Sequence, residues 1–231
     1  MISVIVPAYN EEKTIAACLK SVLSQGIPRQ EYEVIVSDSS STDKTVQVAE
    51  KYADKVLKCK KVSAGYGRNH GAKKAKGNIL AFIDADSIAG PNWLEGIKEE
   101  FEKEGIVAAT GPFRALEKDS LLERLFYSGW SIEARVTTMV GFPLLAGFNI
   151  AVQKSAFEKA GCFNEENMTC EDYDLSLKLK KLGKIGFNNK IFTLTSTRNI
   201  REGGIIKYSI EGLSYLLFKK KSGWEKRRRD W

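Results

Sequence analysis

Two carboxylates one residue apart, Asp84 and Asp86, close the apolar run of FIDADS, Phe82 to Ser87. At about 4 Å, two like unit charges repel by roughly 4 kcal/mol at an effective dielectric of 20, so an uncompensated pair at a strand end is a liability. A divalent cation removes it. Hard oxygen ligands on a short turn suit Mg²⁺ or Mn²⁺, which bind through one or two carboxylates while phosphates and waters complete the octahedron. A solvated turn in which Asp86 caps the following helix is the plainer alternative, and the triplet alone does not separate the two.

Three further stretches carry candidate chemistry. VPAYNEE and VSDSSSTDKT set Pro7, Tyr9 and Asp38 at one predicted edge. There a planar heterocycle can lie against Tyr9 while Asp38 accepts a hydrogen bond from a ring or amide N–H, which describes a nucleobase site; a serine-rich loop capping a helix through Ser41 or Thr42 is compatible with it. GYGRNHG allows close backbone approach at its glycines, and Arg68 offers a planar fork to a phosphate or to carboxylates opposite. No GxxxxGK[ST] is present, so this is not a P-loop. His70 is the only histidine, which sets aside Ser-His-Asp chemistry and a multi-histidine zinc site and leaves it a structural role. In CEDYDL, the acids Glu171, Asp172 and Asp174 suit a helix N-terminus, and one held near the sheet edge can take a proton from an attacking hydroxyl.

The elements that must position these residues alternate. ISVIVPAY and EVIVSD read as β-branched strands, Asn10 as the cap of a first helix, and Ile79 to Ile83 as a strand covered on both faces. KVSAGYGRNHG reads as a loop before a helix ending near Gly77. Pro91 opens a helix to about Lys103, IVAATG is another strand, and Leu121, Leu122, Leu125, Phe126 and Trp130 suggest an amphipathic helix. The order βαβαβαβ predicts an α/β fold with a mainly parallel central sheet and helices on both faces, and such sheets bind ligands beyond the carboxyl ends of their strands. Asp38, Asp84 and Asp86 stand at such ends.

Composition narrows the classes. With 43% hydrophobic and 28% charged residues in 231, the chain can bury one large core, which excludes disordered and disulfide-scaffold proteins. The net charge of +7 is concentrated in the last thirteen residues, where seven basic side chains face only Glu225 and Asp230. A nearly neutral body argues against a nucleic-acid-binding face. Cys18, Cys59, Cys162 and Cys170 lack metal-like spacing and read as reduced thiols, and Met1 to Val6 is too short for a signal segment, so a cytoplasmic location is expected. Ile206, Ile210, Leu213 and Leu217 form a stripe too short to span a bilayer. Followed by the basic tail, residues 205–231 suggest a peripheral anchor on the anionic cytoplasmic face of the cell membrane.

Taken in order, VPAYNEE, Asp38 with STDKT, GRNHGAKKAKG, FIDADS, GFNIAV with FEKAGCFNE, and EDYDL with LGKI resemble the family 2 inverting glycosyltransferases of GT-A fold over about residues 1–190. The resemblance implies a Rossmann-like nucleotide-sugar-binding half, 1–112, and an acceptor-binding half, 113–203, with 204–231 as an appended helix and tail. It implies that Pro7, Tyr9, Glu11 and Asp38 hold the nucleotide, with Arg68 assisting there or at the phosphates. Asp84 and Asp86 become the DXD motif, Asp86 on Mg²⁺ or Mn²⁺ and Asp84 on the ribose or in the metal's shell. Asp172 becomes the general base. Ser39 stands where many members carry a second acid, and the QxxRW motif of processive synthases is absent, with only STRNIREGG in that region. Transfer of a single sugar is therefore expected, from a UDP-sugar in preference to a GDP-sugar, with Arg198 or Arg201 at the diphosphate and a sugar or polyprenyl-lipid acceptor. A catalytically silent nucleotide-sugar-binding or membrane scaffold protein of the same fold is the alternative, and the joint presence of Asp38, Asp84, Asp86 and Asp172 disfavours it.

Overall fold

A computed structural model describes residues 1–117, 120–141, 143, 145–166 and 171–198. The expectations for Arg201, Cys170 and the segment 204–231 lie outside the described residues.

Alternation of β-branched residues sets the first layers. Strand β1 (Ile2–Ala8) is followed by helix α1 (Ile15–Leu23), β2 (Tyr32–Asp38), α2 (Thr45–Ala49), β3 (Lys55–Lys58), α3 (Ala64–Lys73) and β4 (Ile79–Phe82). Val4 and Val6 of β1, with Val34 and Val36 of β2, point to one face and meet Ile15, Leu19 and Val22 of α1. Ile5 and Ile35 point to the other, where Ala72 of α3 packs. Successive side chains of a strand alternate faces, so one β-branched run feeds both layers.

The chain continues through β5 (Ser87–Ala89), α4 (Trp93–Phe101), β6 (Ile106–Thr110), β7 (Phe113–Ala115) and α5 (Leu121–Met139). It ends its described course in β8 (Ile150–Gln153), α6 (Lys154–Lys159), α7 (Glu171–Leu179), β9 (Lys184–Phe187) and β10 (Thr193–Thr195). The main sheet has the order β3-β2-β1-β4-β8-β6-β9. Its pairs are parallel except at β8, which runs antiparallel to both β4 and β6. Helices α1, α2 and α4 cover one face and α3, α6 and α7 the other. A second sheet, β5-β10-β7, lies beside it, with α5 packed over it through Tyr127 and Trp130 against Phe113.

Three local expectations are corrected. GYGRNHG is not a loop: it is the body of α3, capped by Ser63, whose hydroxyl accepts from Tyr66 N at 3.1 Å. Its glycines bring helix and sheet together, since a Cβ on Gly71 would stand 2.6 Å from Ile5 Cγ2. Asn10 does not cap α1. It takes a positive φ of 54°, and its Oδ1 accepts from Thr42 N at 2.9 Å. Neither Ser41 nor Thr42 caps α2; Asp43 Oδ1 accepts from Thr45 N at 2.9 Å. An Asn or Asp carbonyl oxygen bonds nearby N–H groups in either setting, so composition alone does not choose between cap and loop brace.

Candidate active site

Strands β1, β2 and β4 end at one edge of the sheet, and β1 and β2 stay in register to Ala8 opposite Asp38. Beyond that edge opens a pocket lined by Pro7, Tyr9 and Glu11 from the first strand's exit and by Asp84 and Asp86 from the fourth's. Lys61 and Ser63 close one side and Arg198 another. Ser41 Oγ accepts from Asn10 N at 2.9 Å, so the loops after β1 and β2 brace each other around it.

Asp86 is 9% exposed. Burial, then the charges of Asp84 and Glu11, push its carboxyl up to about 7. The Arg198 guanidinium pairs with Glu11 through Nη2, and the same nitrogen stands 3.5 Å from Asp86 Oδ2. Arg198 reaches this position because β10 pairs antiparallel with β5, setting Thr195 opposite Ser87 with their hydroxyls 2.8 Å apart. The turn that carries the two acids is thereby tied to the segment that carries the arginine.

Beneath the pocket lies a buried ion-pair chain. Arg68 projects from α3, where it is 4% exposed. Its Nη2 donates to Asp84 Oδ1 and its Nη1 to Glu171 Oε1, each at 2.8 Å. Burial alone would weaken its hold on the proton; Asp84 and Glu171 outweigh that and raise its pKa. Next to Glu171, Asp172 is held by two backbone N–H groups, Gly147 N to Oδ2 at 2.8 Å and Tyr173 N to Oδ1 at 2.9 Å. Its carboxyl is nevertheless pushed up to about 7, by burial first and then by the Glu171 charge, against the opposing pull of Gly147 N and Arg68. An acid poised near neutrality can exchange a proton at physiological pH.

Asp38 is 1% exposed. Its Oδ2 accepts from Ser41 N at 3.0 Å, while Oδ1 is buried with no hydrogen-bond partner among the described residues. A buried oxygen of this kind wants a donor. The face of Tyr9 carries Lys61, whose Nζ stands 4.1 Å from the ring centroid. His70 sits on α3 with Nδ1 3.3 Å from Ser37 Oγ, away from the carboxylates.

Sequence reasoning missed Glu171 as the partner of Arg68, Gly147 as the donor to Asp172, and Lys61 at the pocket wall. Glu171 was visible only as one of three acids at a helix start. Gly147 had only the glycine of GFN to mark it; in the fold a Cβ there would come 3.0 Å from Arg68 Nη2, so a larger residue would press on the guanidinium. Lys61 had none, being one of the cations in KCKK.

The donor set fits a divalent cation. Among the described residues no group of three or more His, Cys, Asp or Glu forms a closed metal cage. Mg²⁺ and Mn²⁺ do not need one when substrate phosphates and waters supply the remaining oxygens. Asp86 is pressed by the like charges of Asp84 and Glu11, a repulsion that such a cation would relieve as Arg198 at 3.5 Å does in part.

Residues 3–161 match the pattern of glycosyl transferase family 2. The poly(ribitol-phosphate) beta-N-acetylglucosaminyltransferase TarS of Staphylococcus aureus is 43% identical over 99 residues, 40% of this chain and 17% of that protein. Glycosyltransferase AglE of Haloferax volcanii is 36% identical over 100 residues, 41% of this chain and 33% of that protein. The chain thus matches between a sixth and a third of the length of these relatives. Among solved structures, S. aureus TarS in complex with UDP-GlcNAc aligns with a TM-score of 0.67 at 23% identity, covering 84% of this chain and 58% of that one. The mannosyltransferase PcManGT of Pyrobaculum calidifontis, in complex with GDP-Man and Mn²⁺, aligns with a TM-score of 0.71 at 18% identity, covering 92% and 64%. At these identities the two structures establish a shared fold.

Proposed function

The chain belongs to glycosyl transferase family 2, and from that premise we propose that it moves a single sugar from a nucleoside-diphosphate sugar to an acceptor hydroxyl, with inversion at the anomeric carbon and Asp172 as general base. The observation that carries the proposal is the chain of contacts Asp84–Arg68–Glu171, which ties the acidic edge of the donor pocket to the helix whose next residue is the poised Asp172.

The nucleotide enters between Pro7 and Asp38. The unpartnered Oδ1 of Asp38 suits a base N–H, and the Lys61 ammonium shifts from the Tyr9 face as the base lies down. UDP is the proposed nucleotide, as in the TarS complex. Asp86, with Asp84 beside it, would hold Mg²⁺ or Mn²⁺, which would supply positive charge to stabilise the departing diphosphate. Arg198 and Glu11 line the same space, so the guanidinium can turn from the carboxylate to the departing phosphate. Arg68, with both forks engaged by carboxylates, acts by holding Asp84 and Glu171 in place.

In the transfer, the acceptor oxygen forms a bond to the anomeric carbon from the face opposite the diphosphate. Asp172 takes the hydroxyl proton, and the bond from that carbon to the diphosphate oxygen breaks, its electron pair leaving with the nucleoside diphosphate. Gly147 N and Tyr173 N hold the carboxylate in one orientation before the proton arrives. The test is Asp172→Asn: transfer is lost while donor affinity stays within a few-fold of the wild type. Loss of donor binding instead would remove Asp172 from the base role.

A further inference from the structure

Glu11 and Asp86 share one guanidinium, that of Arg198. Its Nη1 donates to Glu11 Oε2 at 3.3 Å and its Nη2 to Oε1, while Nη2 also stands 3.5 Å from Asp86 Oδ2. Both ends of the contact are anchored. The backbone N–H of Glu11 donates to Thr45 Oγ1, and Thr14 Oγ1 donates to Glu11 Oε2, each at 2.7 Å. The stem of Arg198 is fixed as firmly. Tyr127 Oη donates to Ser196 O at 3.1 Å, and Ser196 Oγ and Thr197 N donate to the Glu117 carboxylate at 2.7 and 2.8 Å. The Arg198 side chain is nevertheless 43% exposed on the pocket wall, against 13% for that of Glu11. A fixed root with a half-exposed tip describes a side chain that can swing while its backbone stays in place.

We propose that Arg198 is a latch on the acidic edge: it holds Glu11 and Asp86 until a nucleoside diphosphate draws the guanidinium away, so that Mg²⁺ or Mn²⁺ enters with the nucleotide and not before it. The latch rests on the reading of this pocket as a site for a cation and a nucleoside diphosphate, and it adds an order of entry to that reading. Mg²⁺ and Mn²⁺ bind carboxylate oxygens at about 2 Å, so a cation arriving alone at Asp86 would have the guanidinium as a close neighbour of like charge. Inside a partly buried pocket such a repulsion is poorly screened. Turning Arg198 out to water would remove it, at the loss of the forked pair with a Glu11 carboxylate that water reaches poorly. A diphosphate changes both sides of the balance. Its oxygens take the planar fork as a carboxylate does, and they complete the shell of the cation. Because residues 195–197 are pinned to β5, Glu117 and α5, the release is a rotation of one side chain.

Mn²⁺ alone is the probe, titrated into the full chain with the unbound ion read by electron paramagnetic resonance. Without nucleotide, Arg198→Ala is expected to bind Mn²⁺ at least about tenfold more tightly than the wild type, the size of an ordinary coupling between two sites. Adding Asp86→Ala to that variant should abolish the gain, which places the ion at Asp86. Lys61→Ala removes an exposed charge from another wall of the same pocket, and it is expected to change the affinity by less than about threefold. Equal gains in Arg198→Ala and Lys61→Ala would reduce Arg198 to one charge among others and overturn the latch. Equal Mn²⁺ affinities in the wild type and Arg198→Ala would overturn it as well. In that case a rise in melting temperature with UDP and Mn²⁺ together shows that the latch alone has failed. If Mn²⁺ binds neither protein and UDP with Mn²⁺ shifts neither melting temperature, the cation reading of the pocket fails and the latch falls with it.

Discussion

Arg68 Nη1 and Glu171 Oε1 lie 2.8 Å apart, joining two residues separated by 103 positions in the chain. The pair is buried, with side-chain exposures of 4% and 11%. Through it, α3 and α7 are pinned to each other.

Removing one partner of a buried pair leaves the other charge uncompensated, typically at a cost of about 3–5 kcal/mol. Arg68→Ala is therefore expected to lower stability strongly, since Asp84 and Glu171 both lose their cation. Arg68→Met combined with Glu171→Gln recovers part of that loss. A double-mutant cycle by denaturant unfolding should return a coupling of about 0.5–3 kcal/mol, and additive effects would show that the pair does not act as a unit.

Asp172 links pH to both activity and stability. In its proposed role as general base it must be ionised, so kcat/KM is expected to rise with pH and level off above about 7. A carboxyl raised from its ordinary 3.8 to about 7 keeps its proton longer in the folded chain than in the unfolded one. The folded state binds more protons in that window, so the Asp172 contribution to stability is present below about pH 4 and is lost as pH rises toward 7. A pH–rate profile that is flat between pH 5 and 8, where at least a tenfold rise is expected, would assign the proton transfer elsewhere.

Asp86 is the residue on which metal-dependent donor binding should turn. A ligand at a hundred times its Kd adds about 2.7 kcal/mol to stability. For a chain of this size that raises the melting temperature by roughly 5–11 °C. UDP-sugar with Mn²⁺ should produce such a shift in the wild type and little or none in Asp86→Ala. An equal shift in both would place the cation away from Asp86.

Gly71 tests the close approach of α3 to the sheet. An added Cβ would sit 2.6 Å from Ile5 Cγ2 in the core, so Gly71→Ala forces helix and strand apart. A loss of about 1–3 kcal/mol is expected by thermal or urea unfolding. Activity should fall with it, because the displaced helix carries Arg68. A neutral effect would mean that Ile5 can turn aside.

Much of the α/β frame was legible in the chain. The β-branched runs of β1 and β2 and the apolar run of β4, separated by helical stretches, call for a sheet covered on both faces, and this is what forms. The acids of FIDADS were legible as a strand-end pair for the same reason: a buried strand must finish before its polar residues begin. The glycines of α3 misled, because flexibility and close packing draw on the same residue, and only the Ile5 contact shows which applies. The amphipathic helix read from Leu121 to Trp130 forms as α5, but only the fold decides which side it buries, Tyr127 and Ala134 in place of Leu121 and Leu125.

By itself the sequence determined the residue types and their local order: which acids end strands, which helices are amphipathic, and which stretches resemble a known family. Only the tertiary structure decided who meets whom. Glu171 became the partner of Arg68, Gly147 the donor to Asp172, and Arg198 the neighbour of Glu11 and Asp86. Each of these contacts spans 25 to 187 positions. Local propensity and periodicity act over a few turns of chain, whereas such pairs are set by how β8 inserts between β4 and β6 and how β10 returns to β5. The physical reason is that burial selects arrangements of whole layers, and charges then settle on whichever partners those layers bring within reach.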